Sequence, residues 1–113
     1  MHLIFFSCLL ITLPLTGQEP GPATAFFERK IRPILAEKCY SCHATKAKIS
    51  FAGLQLDTRD RALKVLTPGK PLESKLYQAL LYTGQTKMPP TGKLPDATIE
   101  DFRLWIEQGA NWP

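Results

Sequence analysis

The apolar positions divide the chain into two parts with different patterns. From Leu3 to Leu15 nearly every residue is apolar, and the polar, turn-rich run Thr16-Gly17-Gln18-Glu19-Pro20-Gly21-Pro22 follows. The apolar run is shorter than the roughly 20 residues that a membrane-spanning helix needs, and it has the length of the h-region of a secretory signal. Its n-region carries no Lys or Arg, only the α-amino group and His2. Cleavage has two candidates, after the small-x-small run Ala23-Thr24-Ala25 or nearer the apolar run at Gly17. Residues 1–25 are assigned to a signal peptide and short linker, and residues 26–113 to one domain.

From about Thr24 the pattern is helical. Phe27, Ile31, Ile34 and Leu35 form one stripe at i, i+4, i+7 and i+8, with Glu28, Arg29, Lys30 and Glu37 off it. Pro33 has no amide to bond back to Arg29, so a bend is expected there. The polar residues 44–48 read as a loop, and 49–56 as an extended segment that brings Leu54 and Leu56 to the interior. Asp57 or Thr58 can cap a short helix from Arg59 to about Leu66. Pro71 suits the first turn of a helix from Leu72 to Tyr82, which carries Leu72, Leu76, Ala79 and Leu80 on one side and stops at Gly84. Lys87-Met88-Pro89-Pro90-Thr91-Gly92-Lys93 must be a stiff loop, because its two prolines fix the backbone and remove two donors. The last helix runs from about Asp96 to Gln108, with Ile99, Phe102, Trp105 and Ile106 as its apolar stripe and Gly109 as its stop. Phe102 and Trp105 are expected to pack this helix across the first one, against Ile31 and Leu35.

Composition narrows the class without changing this picture. With 113 residues, 44% hydrophobic and 21% charged, the chain is an ordinary globular one of a single domain. A domain this small buries a modest fraction of its surface, so a large apolar cofactor would add substantially to its core. The net charge of +4 comes from basic residues scattered among acids. They form no run or motif, which argues against nucleic-acid binding.

The candidate chemistry sits in Cys39-Tyr40-Ser41-Cys42-His43. Two thiols three positions apart, with an imidazole directly after the second, match the C-x-x-C-H pattern of covalent haem attachment. One short turn presents both sulfurs of Cys39 and Cys42 to the vinyl groups of a single haem c, and His43 then stands where it can be the proximal iron ligand. A structural zinc site wants four Cys or His ligands, and beyond this cluster the chain offers only Cys8 and His2, both in the apolar leader. A thioredoxin-like dithiol should follow a strand, whereas the residues before Cys39 read as helix. For the sixth iron position, Met88 is the candidate distal ligand, since Met1 and His2 are the only other Met and His. The competing role for Met88 is to fill a gap in the core. Four lysines, Lys46 and Lys48 after the proximal ligand and Lys87 and Lys93 around the distal one, either steer an acidic redox partner or are ordinary solvated charges.

Taken together, Phe26-Phe27-Glu28 to Ile31-Arg32-Pro33-Ile34-Leu35, the Cys39–His43 cluster, Gly53-Leu54-Gln55-Leu56-Asp57, Pro68-Gly69-Lys70-Pro71, Lys87-Met88-Pro89-Pro90 and Trp105-Ile106-Glu107-Gln108-Gly109-Ala110 resemble the planctomycete-type cytochrome c domain. The resemblance covers nearly all of the chain from Phe26 to Trp112. It implies an all-α, class I cytochrome c-like fold, with crossed N- and C-terminal helices around one covalent haem, His43 proximal and Met88 distal. Domains of this type usually open longer exported proteins, and their last helix usually enters with Ser or Thr where this chain has Pro95-Asp96. The reading that follows is an exported electron carrier, periplasmic or in the cell envelope, with redox proteins as partners, no stable membrane insertion after leader cleavage and no bond-making chemistry of its own. Its rivals are a haem domain with an open sixth site for a small gas or peroxide, and a zinc-stabilised interaction module.

Overall fold

A computed structural model of the chain describes residues 2–4, 9–12, 21–45 and 53–113. The described N-terminal residues lie outside the core: Leu3, Ile4, Leu9, Leu10 and Ile11 are all highly exposed. Among the described residues no helix is long and apolar enough to cross a membrane.

The first described helix is α1 (Pro22–Phe26), whose proline stands in the first turn, where a missing amide costs nothing. It continues without interruption through a π-helical turn, Phe27–Ile31, into α2 (Arg32–Lys38). Within this turn the Arg32 amide bonds to the Phe27 carbonyl, five residues back. Pro33 accounts for the slip: it donates no hydrogen bond and its ring crowds the carbonyl four residues earlier, so a wider turn ahead of it relieves the conflict. The disturbance expected at Pro33 therefore takes the form of a π turn one turn upstream.

The middle of the domain departs from the expected helices. Helix α3 (Arg59–Ala62) is one turn long and does not reach Leu66. The Lys64 and Val65 amides close tight i→i+3 bonds to Arg61 and Ala62, and the Val65 carbonyl accepts the Leu76 amide instead of continuing the helix. The expected helix from Leu72 is likewise divided into a 3-10 turn, Pro71–Glu73, and α4 (Lys75–Leu80). Ser74 separates them in an extended conformation and is fully buried. Its hydroxyl accepts the Thr67 amide at 2.9 Å and donates to the Lys70 carbonyl at 3.0 Å. Because Ser74 breaks the helical phase, Leu72 is 75% exposed and does not share the buried side with Leu76, Ala79 and Leu80. Ser74→Ala should destabilise the domain by about 1–3 kcal/mol, since it removes the buried hydroxyl that the part-buried Thr67 amide and the Lys70 carbonyl bond to, and chemical denaturation should show a lower midpoint with an unchanged slope.

Helix α5 (Asp96–Glu107) matches its expected span within one residue. No side chain caps its first turn; the Pro95 carbonyl takes the Thr98 and Ile99 amides instead. At its other end the Ala110 amide bonds to Trp105 and the Gly109 amide to Ile106, a Schellman close made possible by Gly109 at φ +107°. Ile99, Phe102, Trp105 and Ile106 are buried as the stripe required. They share one core with Phe27, Ile31 and Leu35. Trp105 lies 5.7 Å from Phe27 and edge-on to Phe102, and its indole nitrogen donates to the Asn111 carbonyl. The first and last helical segments thus pack on each other, and the described residues contain helices and turns with no strand.

Candidate functional site

Helix α2 ends directly on the cysteine cluster. The Cys39 and Tyr40 amides both return to the Leu35 carbonyl, and the Cys42 and His43 amides both return to the Cys39 carbonyl, at 3.2 and 2.8 Å. The five residues therefore form one closed turn attached to a rigid helix.

The imidazole of His43 is fixed from behind. Its Nδ1 lies 3.0 Å from the Leu54 carbonyl oxygen. A carbonyl can only accept, so Nδ1 carries the proton and Nε2 keeps its lone pair for a metal. The Leu56 amide donates to the His43 carbonyl at 2.7 Å, so the segment from Leu54 to Leu56 holds both the backbone and the ring of His43. Beyond it, Asp57 accepts the Thr45 amide at 3.0 Å, and Arg61 binds Thr45 and Gln55. Burial works to raise the Asp57 carboxyl, but the Thr45 hydrogen bonds and the Arg61 charge outweigh it and hold it below its usual range.

Met88 arrives from the other side of the sequence, on a loop pinned at two points. Its amide donates to the Ala79 carbonyl of α4 at 3.2 Å, and the Tyr82 hydroxyl donates to the Pro89 carbonyl. Tyr82 can reach back because it sits at φ +63° just after α4. The Met88–Pro89 peptide is cis.

All four sequence-derived site residues, Cys39, Cys42, His43 and Met88, line a single cavity of about 930 Å³. Leu35, Leu54, Leu56, Leu76 and Phe102 supply much of its apolar wall. The cavity is at the upper end of the range for small-molecule and cofactor sites. An apolar chamber with two thiols, an imidazole whose free nitrogen is an acceptor, and a thioether suits haem in shape and in donor chemistry. Burial first, and the neighbouring Cys42 second, push the Cys39 thiol up to about 11. At neutral pH it is a thiol, unlike the low-pKa nucleophile of a redox dithiol. Among the described residues no group of three or more His, Cys, Asp or Glu stands together to hold a metal ion, so the zinc reading lacks a ligand set there.

Sequence reasoning missed the supports behind these donors. The Leu54 carbonyl carries no side-chain signature, and Tyr82 was read only as the end of a helix; the one available signal was its position six residues before Met88. Of the four lysines, Lys87 is exposed and Lys93 is 3.4 Å from Asp96, while Lys46 and Lys48 lie outside the described residues, as do positions 49–52 of the extended segment.

The helical described residues and the donor-lined apolar cavity are compatible with a domain of the cytochrome c type. Residues 39–92 match the family described as planctomycete cytochrome C, with Cys39, Cys42 and His43 standing at the start of the matched stretch. A match to a cytochrome C family points to a covalently bound haem as the group such a cavity would take. No curated protein and no solved structure matches the chain.

Proposed function

We propose that the protein is an exported, mono-haem c-type cytochrome that carries single electrons between redox proteins. The observation that carries this reading is the convergence of Cys39, Cys42, His43 and Met88 on one apolar cavity. Cys39 and Cys42 would hold the cofactor through thioethers, and His43 and Met88 would take the two axial positions. Haem bound there supplies a one-electron couple, with the iron cycling between ferric and ferrous states. The chain's own work is to fix ligands and exclude water. The Leu54 carbonyl orients His43 and makes its Nε2 a better donor. The Ala79 and Tyr82 contacts hold Met88 against loss of the sixth ligand. A thioether ligand and an apolar wall both favour the less charged ferrous state, which raises the potential. Lys87 is the one described lysine of the original four that is exposed and without an ion pair among the described residues, and it would contribute to steering an acidic partner.

Expression of the full chain with the haem-attachment machinery tests the reading directly. The exported protein should show a mass equal to the processed chain plus one haem, and the absorption of a low-spin, six-coordinate c-type cytochrome. A haem-free protein of unchanged mass would overturn it.

A further inference from the structure

The cavity wall carries an uneven distribution of charge that the four donors do not explain. Lys38 and Lys75 are its lysines; Cys39, Cys42 and His43 are its other titratable groups, and no Asp or Glu lines it. The 54–56 segment, the loop after α4 and α5 add no charged side chain to it. The two lysines come from different parts of the fold. Lys38 ends α2, directly before Cys39, and has the Glu37 carboxylate 3.8 Å away. Lys75 opens α4 and makes no ion pair among the described residues. It is one helical turn from Ala79, the residue whose carbonyl holds the Met88 amide.

Haem brings two carboxylates of its own, on the edge of the macrocycle away from the vinyl carbons. Thioethers at Cys39 and Cys42 commit the vinyl edge to the α2 side, where Lys38 stands. The carboxylate edge then needs a cation from elsewhere in the wall, because a carboxylate drawn into an apolar site without a partner is costly. We propose that Lys75 is the residue that pairs with a haem propionate, setting the orientation of the carboxylate edge and coupling its ionisation to the iron. The inference rests on the haem reading above. Lys75 here is a positioning residue, placed at an exposed rim where substitution leaves the core intact.

The test is a graded series, Lys75→Arg, Lys75→Gln and Lys75→Glu, with Lys38→Gln as the comparison, in the full chain carrying covalent haem. Midpoint potentials are measured across pH by spectroelectrochemistry. An adjacent cation lowers a carboxyl pKa, so in Lys75→Gln the propionate-linked step should move up by about one pH unit, a proton affinity about tenfold higher. The potential at neutral pH should fall, because a positive charge that disfavoured the ferric state is gone. Lys75→Arg should keep the wild-type profile, Lys75→Glu should move the step further in the same direction, and Lys38→Gln should leave it in place. Superimposable pH–potential curves for wild type, Lys75→Gln and Lys75→Glu would overturn the assignment while leaving the haem reading intact. A wild-type protein without covalent haem would overturn both.

Discussion

Replacing Cys39 and Cys42 together by serine should abolish the haem-stained band on denaturing gels, while each single change leaves a weaker one. The argument is local. The turn that carries the two sulfurs is closed by backbone bonds to Leu35 and Cys39, none of which involves a side-chain sulfur. Serine can therefore occupy both positions without opening the turn, and a hydroxyl there forms no stable thioether. His43 keeps its bond to the Leu54 carbonyl, and the cavity keeps its apolar wall. The double variant should accordingly bind added haem reversibly, with the cofactor lost on denaturation. A stained band that survives the double change would remove the covalent assignment.

Met88→Ala should leave the stained band in place and change the spectrum. The loop is held by the Met88 amide and the Pro89 carbonyl, both backbone groups that alanine preserves. Loss of the side chain should then abolish the weak red sulfur-to-iron absorption and admit cyanide or carbon monoxide. The potential should fall by on the order of a tenth of a volt or more, a modest share of the ~0.8 V that axial ligands command. If Met88 only filled space, the same change would lower stability at unchanged spectrum and potential. Rapid carbon monoxide binding by the wild type would favour the gas-binding alternative.

The parts of the fold legible in sequence were those set by one strong local signal. In α5 a full stripe from Ile99 to Ile106, a glycine stop and ample length all agreed, and the helix formed as read. Cys39 to His43 was legible because the spacing is itself the chemistry. The middle was harder. Leu72 has the right spacing from Leu76 and Leu80, yet a buried serine with three backbone partners outweighs that periodicity and rotates it into solvent. The truncation of α3 at Ala62 reflects a bond between Val65 and Leu76, a contact across sequence that no window of neighbouring residues contains. The turn around His43 followed the same division: the imidazole could be read as a candidate donor, and the Leu54 carbonyl that orients it could not.

The π turn before Pro33 has an angular consequence. Phe27, Ile31, Leu35 and Cys39 are spaced four residues apart. In an uninterrupted α-helix, at about 100° per residue, such a series winds away from its starting line by about 40° each step, and Cys39 would emerge about a third of a revolution from Phe27. The extra residue absorbed by the wide turn takes back about 100° of that drift. Phe27, Ile31 and Leu35 are all buried, and Cys39, its net drift from Phe27 cut to about 20°, lines the cavity. A proline that donates no hydrogen bond thereby acts as an azimuthal setting, aiming the first cysteine from two turns away.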